Sequence, residues 1–415
     1  MDLIIVGAGL AGLHCALRIS EKYPRNKILL LESYSVPGGR VSTVTRGKQH
    51  WEAGAGRIPE SHKLISSYCN RYSLTRFPIT VYSEYMDEPG IQKKNLWNYI
   101  AKAIQGTLAG IPKSTLGHYT LYEILRKLYS KDTVEDFFSY FPYRSELTTL
   151  RADLAFSEEF SSSETFYGIK EGLSAIIDGM VGEITSRGIT ILCNHRVTGM
   201  GSLDTIPMSL HCMTPNGMKT FTAAKIIFAL HANALRSIRP FTRYPILKHL
   251  KMTPLLRTYA IFPKYPQEKQ VWFYDMPKIV TNGPLRHIIP INSSSGLIMT
   301  SYTDEDDTLY WDTFRLKSKE SLTKALLKEL RELLPMKRIP NPLYVASHHW
   351  EDGCTYWKPG SYDPVKESND IMRPFPTRLP DVYVCGESFS MKQAWMEGAL
   401  EHADAMLNKF FFRAT

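Results

Sequence analysis

Gly7-Ala8-Gly9-Leu10-Ala11-Gly12 sets three glycines in the spacing GxGxxG. Each glycine would do a separate job. Gly7 permits a tight turn, Gly9 lets the backbone approach a pyrophosphate, and Gly12 lets a helix pack closely on a strand. The helix beginning around Leu10 and Ala11 would aim its free N–H groups at the phosphates. Glu32 follows about 20 residues after Gly12, the distance at which a carboxylate accepts from a ribose hydroxyl. Gly38-Gly39-Arg40 comes next, a flexible turn ending in a cation suited to a phosphate. The chemistry implied is the holding of a dinucleotide. These residues alone leave flavin and nicotinamide both open.

Such residues work only if strands and helices place them. Residues 2–6 are nearly all apolar, as in a strand buried on both faces of a parallel sheet. Residues 10–23 read as a helix and 27–32 (KILLLE) as the next strand, which together predict a right-handed βαβ unit. From 61 to about 159 helical spacing dominates, at 62–72, 96–107 and 119–129. Apolar β-like runs return at 190–192 and 225–230. Alternation at 258–262 and 297–302 predicts a second sheet. Residues 318–334 form an amphipathic helix, 381–385 (DVYVC) a late buried strand, and 398–412 a closing helix. The expected class is α/β: a doubly wound, Rossmann-like cofactor domain interleaved with a substrate domain of mixed sheet and helices. The cofactor domain is expected to be discontinuous, made of 1–60, 165–240 and 375–415. A helical insertion at 61–164 and a substrate domain at 241–374 complete the chain.

Composition narrows the class of protein. Of 415 residues, 43% are hydrophobic and 22% charged, which suits a folded globular chain rather than a disordered one. The net charge of +9 is dispersed, with no basic tract interleaved with stacking aromatics, so nucleic acid is not an expected partner. Cys15, Cys69, Cys193, Cys212, Cys354 and Cys385 form no CxxC pair, and no metal is expected. Sparse cysteine and the absence of a basic residue before the apolar 3–13 stretch lead to an expected cytoplasmic location. No apolar run is long enough to span a membrane, so no integral membrane contact is expected.

Beyond the glycine motif, the sequence resembles the flavin-containing amine oxidase family (monoamine oxidases, polyamine oxidases and L-amino acid oxidases). The GGR turn ending at Arg40 belongs to that pattern. Glu52-Ala53-Gly54-Ala55-Gly56-Arg57 is similar to the family's segment beside the flavin ring. Gly168-Ile169-Lys170-Glu171-Gly172-Leu173 resembles its return to the cofactor domain, with Glu171 where a second Gly is usual. His195-Arg196-Val197 resembles the strand whose Val meets the adenine through its backbone. Tyr383-Val384-Cys385-Gly386-Glu387-Ser388 resembles the late strand whose Glu binds the ribityl chain. Trp395-Met396-Glu397-Gly398-Ala399-Leu400 resembles the closing motif, where an aromatic borders the substrate and a helix N-terminus faces the flavin.

The resemblance implies FAD as cofactor, bound by Gly7, Gly9, Ala11, Gly12, Glu32, Gly39, Arg40, Gly54, Ala55, Gly56, Arg57, Val197, Gly386, Glu387, Trp395, Met396 and Ala399. It also implies a reaction. A hydride equivalent leaves the carbon beside a neutral amine for flavin N5, giving an imine and, with O₂ as acceptor, hydrogen peroxide. With one GxGxxG, a second nucleotide domain is not supported. Arg257 falls where the family usually has Lys, and it stays charged, so it cannot act as a base. Trp395 is expected to form one wall of an aromatic cage, with Tyr356, Trp357 or Tyr362 opposite. Cys354 lies in the region where some relatives attach FAD through Cys, whereas alignment on Trp350 sets Ser361 at that position instead, and FAD is expected to be non-covalent. His231 reads as a packed histidine. Arg57-Ile58-Pro59-Glu60-Ser61-His62-Lys63 resembles L-amino acid oxidases, whose Arg there clamps the substrate carboxylate. The Tyr completing that clamp looks replaced near Ile288-Ile289, so an amine without a carboxylate is favoured. The alternatives are an L-amino acid oxidase using Arg57 as the clamp and a catalytically weak flavin protein acting through a partner.

Overall fold

The computed structural model describes residues 1–155, 165–201 and 207–412. The expected end of the insertion at 164 lies outside the described residues.

Five short strands form a fully parallel sheet in the spatial order Thr190–Leu192, Ile28–Leu31, Leu3–Val6, Lys225–Phe228 and Val382–Val384. Leu3–Val6 sits at its centre and is buried along its whole length, which is why it reads as an unbroken apolar run. The helix Leu10–Lys22 follows and buries Leu13, Ala16, Leu17 and Ile19. Helices Ser174–Ser186 and Met396–Phe410 pack beside it in one apolar cluster. Strands distant in the chain thus return to one sheet.

The second sheet has seven strands, in the order Tyr344–Trp357, Leu250–Ile261, Leu297–Asp304, His287–Asn292, Lys278–Val280, Ser83–Glu88 and Ile91–Lys94. The helix Lys319–Leu333, capped by Ser318, buries Leu322, Leu326 and Leu330 against this sheet's core cluster. Here the expectation of a largely helical 61–164 stretch needs correction. Ser83–Glu88 and Ile91–Lys94 extend the substrate sheet, and Arg76–Ile79 pairs with Phe166–Ile169. Ser83–Glu88 shows little apolar alternation, and Arg76–Ile79 and Ile91–Lys94 are edge strands; Ile91–Lys94 is exposed throughout, so no buried face marks it in the sequence. From Trp97 the segment is helical, as expected: Trp97–Leu108, Leu121–Leu128 and Lys131–Ser139.

Candidate active site

A single cavity of about 1970 Å³ runs from the glycine turn of the parallel sheet to the face of the seven-stranded sheet. Gly7, Gly9, Leu10, Ala11, Glu32, Gly39 and Arg40 line one end. Gly7 has φ +101, in the left-handed region, and an added Cβ would lie 2.5 Å from the Ala229 carbonyl oxygen. Gly12 lies behind the lining. A Cβ there would fall 2.0 Å from the Gly7 carbonyl oxygen, so this glycine brings helix and turn into contact. A Cβ on Gly9 would meet nothing nearer than the Gly39 Cα at 3.9 Å. The backbone is bare on the cavity side, and no side chain caps the helix at Gly9.

Two carboxylates stand on this wall. Buried Glu32 accepts from the Ala8 amide at 2.7 Å and the Tyr34 amide at 2.9 Å, which holds it at the strand end. Glu387 accepts from Arg40 Nη2 at 2.6 Å and from the Ala394 amide at 2.6 Å, and Arg40 Nη1 donates to the Gly353 carbonyl at 3.0 Å. Burial works against the Arg40 charge, but Glu387 outweighs it and raises the arginine above its usual value. A second uncapped helix N-terminus, at Trp395, borders the cavity with Met396 and Ala399. Two uncapped helix ends, a bare glycine turn and a placed carboxylate fit a phosphate-bearing flavin cofactor.

At the other end, Arg257 is half-buried on the strand Leu250–Ile261. Its Nη1 donates to the Glu52 carbonyl at 3.1 Å and its guanidinium lies 4.3 Å from the Tyr302 ring centroid. Burial opposes its charge, yet Tyr302 and Tyr259 hold it above the usual arginine range. The Arg57 guanidinium lies 4.6 Å from the ring of Phe166, 5.6 Å from Trp395 and 5.9 Å from Tyr143. Trp395 stacks on Phe166 at 6.1 Å and meets the edge of His62 at 5.1 Å. Lys278, His287, Glu146 and Asp304 line the same chamber. Asp304 is buried, and its carboxyl is pushed up to about 6 by burial, against the Ser145 donors that stabilise its charge.

Residues 116–405 match the flavin containing amine oxidoreductase family, and residues 5–72 match an NAD(P)-binding Rossmann-like domain. The chain belongs to the flavin containing amine oxidoreductases. The Bacillus subtilis protein YobN, named for L-amino-acid oxidase activity, is 22% identical over 96% of this chain and 92% of its own. The L-amino-acid oxidase of Echis ocellatus is 36% identical, over 18% of this chain and 14% of that one. Putrescine oxidase solved with putrescine bound superposes with a TM-score of 0.76 at 13% identity, covering 99% of both chains, and shows the shared fold.

Against this oxidoreductase frame, several expected site residues need relocating. Gly54, Ala55, Gly56, Arg57, Gly386 and Glu387 line the cavity; the Val197 side chain is buried in its antiparallel ribbon, beside Arg196, which lines the cavity. Trp357 and Tyr362 do not line it. Trp357 is fully buried with its Nε1 donating to the Ser390 carbonyl at 3.1 Å, and Tyr362 stacks on His249 at 3.9 Å. Side chains alternate along the strand Tyr344–Trp357, so Cys354 and Tyr356 share the cavity face and Trp357 takes the other. Ser361 lies away from the cavity, 3.5 Å from His118, so Cys354 is the residue beside the cofactor space. His231 caps the helix Ala232–Arg236 and borders the cavity; burial, then Arg40, lowers it to about 4.

Sequence reasoning missed Tyr143, Phe166, Lys278, His287, Tyr302 and Asp304. Period-two alternation in Leu297–Asp304 sets Tyr302 and Asp304 on one face, a signal that was available. A polar His287 heading an apolar run was a second.

Proposed function

We propose that this chain is an FAD-dependent oxidase of amines that also carry a carboxylate, with amino acids as the nearest chemical class. The observation carrying this reading is the positive end of the chamber, where Arg57, Arg257 and Lys278 all line the cavity around His287. Burial, then Lys278, Arg57, Arg257 and Arg286, push that imidazole well below the usual histidine range. Burial is the larger cause, but the cations that add to it also attract a carboxylate and favour the neutral form of a neighbouring amine. This reading displaces the expectation of an amine without a carboxylate. Glu146 and Asp304 in the same chamber favour that simpler amine, or a polyamine, as the second reading.

FAD, when bound, supplies the two-electron acceptor for the C–H bond beside nitrogen. The protein's part is to bind, orient and exclude water. Arg57 pairs with the carboxylate, and the rings of Trp395, Phe166, Tyr143 and Tyr302 fix the substrate and keep its amine unprotonated. Arg257 keeps a fixed positive charge and moves no proton. The imine product hydrolyses to a carbonyl compound and ammonia, and O₂ is the proposed terminal acceptor, giving hydrogen peroxide. Attachment of FAD is proposed to be non-covalent. The Cys354 thiol is pushed far up by burial and by Glu387, which disfavours the thiolate needed for attack. A peroxide-coupled screen of the purified flavoprotein on L-amino acids, monoamines and polyamines tests the function. Preference for amino acids, lost in Arg57→Ala, supports it; preference for simple amines with Arg57→Ala unimpaired overturns it.

A further inference from the structure

We infer that His287 is a substrate-contacting, specificity-determining residue that donates a hydrogen bond to the substrate's carboxylate; the inference rests on the carboxylate reading above. His287 opens the strand His287–Asn292, is fully buried, and lines the cavity. Neither ring nitrogen has a hydrogen-bond partner among the described residues. Other buried histidines of the chain are differently placed. His14 Nδ1 meets the Tyr68 hydroxyl at 2.7 Å, and His402 Nε2 meets the Ser368 carbonyl at 3.0 Å. Neither of those lines the cavity. Buried polar groups are normally paired, so an imidazole held with both nitrogens unmet on a cavity wall points to a ligand that meets them.

The surroundings define that ligand. The rings of Tyr143 at 5.3 Å and Tyr302 at 5.9 Å flank the imidazole, which fixes its position without using its nitrogens. A neutral imidazole offers one donor and one acceptor, and no hydrogen bond among the described residues fixes which nitrogen carries the proton. Arg57, Arg257 and Lys278 line the same cavity, so the group that reaches His287 is an anion. The imidazole then adds a directional donor where the arginines supply charge.

The test uses the flavin-loaded enzyme, with benzoate as the carboxylate probe and flavin absorbance as the readout. His287→Phe is expected to weaken benzoate about tenfold, the scale of one hydrogen bond to a charged group. His287→Gln, which can still donate, is expected to restore most of that loss. Both variants should keep full flavin content and a ligand-free melting temperature equal to or above wild type, because no protein contact of the nitrogens is lost. In steady state on the preferred substrate, KM should rise in His287→Phe more than kcat falls. A lower melting temperature or lost flavin in both variants assigns His287 a structural role and overturns the inference. Wild-type-like benzoate binding in His287→Phe, with binding lost in Arg57→Ala, overturns it while leaving the carboxylate reading intact. A wild-type enzyme blind to millimolar benzoate overturns both.

Discussion

Arg40 and Glu387 meet as an ion pair at 2.6 Å on the cavity wall, joining the turn after the second strand to the end of the last strand of the parallel sheet. The other Glu387 oxygen accepts from the Ala394 amide, so the same carboxylate fixes the residue just before Trp395. One pair therefore connects the cofactor cradle to the substrate wall. Arg40→Ala leaves a buried carboxylate without its cation, at a cost of about 3 kcal/mol. Reduced flavin content and an earlier urea midpoint are expected, with Glu387→Gln milder because Gln still accepts from Ala394. Full flavin content with an unchanged midpoint in Arg40→Ala would falsify the bridging role.

Trp395 touches Phe166, His62 and Arg57 through its ring, none of them in the glycine cradle. Trp395→Ala should therefore retain the flavin spectrum and lose substrate orientation. Flavin reduction measured by stopped flow is expected to slow on the order of a hundredfold, the cost of misplacing a reacting bond. An unchanged reduction rate removes Trp395 from the substrate wall.

Asp304 links stability to pH. Its carboxyl titrates near 6 in the folded chain, because burial outweighs the Ser145 donors, against about 3.9 unfolded. Between those values the folded state holds the proton more tightly. Its stabilising effect is thus complete below about pH 4 and is lost as pH rises through 6. Asp304→Asn, which still accepts from the Ser145 amide, should melt higher than wild type at pH 7.5 and show little advantage at pH 4. The comparison is two thermal melts at each pH; an advantage independent of pH would assign the effect to packing.

How legible this molecule is from sequence depends on the range of the forces involved. The glycine turn, Glu32, the parallel strands and the helix after Ser318 are local patterns, and the structure has each in place. The seven-stranded sheet was only partly readable, because Ser83–Glu88 pairs with Lys278–Val280 across nearly two hundred residues and has no strong alternation of its own. Trp357 illustrates the site problem. Aromatic type alone made it a cage candidate, yet strand parity turned it into the core and left Tyr356 facing the cavity. His287 heads an apolar run, which marks it as unusual, but nothing local separates a packed histidine from one held unmet in a chamber.

Gly56 gives the Arg257 guanidinium room at the substrate end. A Cβ on Gly56 would sit 2.8 Å from Arg257 Nη1 and 3.2 Å from Nη2. The guanidinium is the movable end of a side chain, so Gly56→Ala should fold, with a stability change of about 1 kcal/mol. What it disturbs is position: Arg257 must leave either the Glu52 carbonyl or the Tyr302 ring. Turnover on the preferred substrate is expected to fall about tenfold while flavin content stays full, a loss of about 1.4 kcal/mol in transition-state binding. Arg257→Lys keeps the charge, loses the forked hydrogen bonding, and frees the space the methyl group needs. In that background Gly56→Ala should do little further harm. A double-mutant cycle on kcat/KM should then give a coupling of roughly 1 kcal/mol. Strict additivity of the two changes would show that Gly56 serves the cavity for some reason other than room for Arg257.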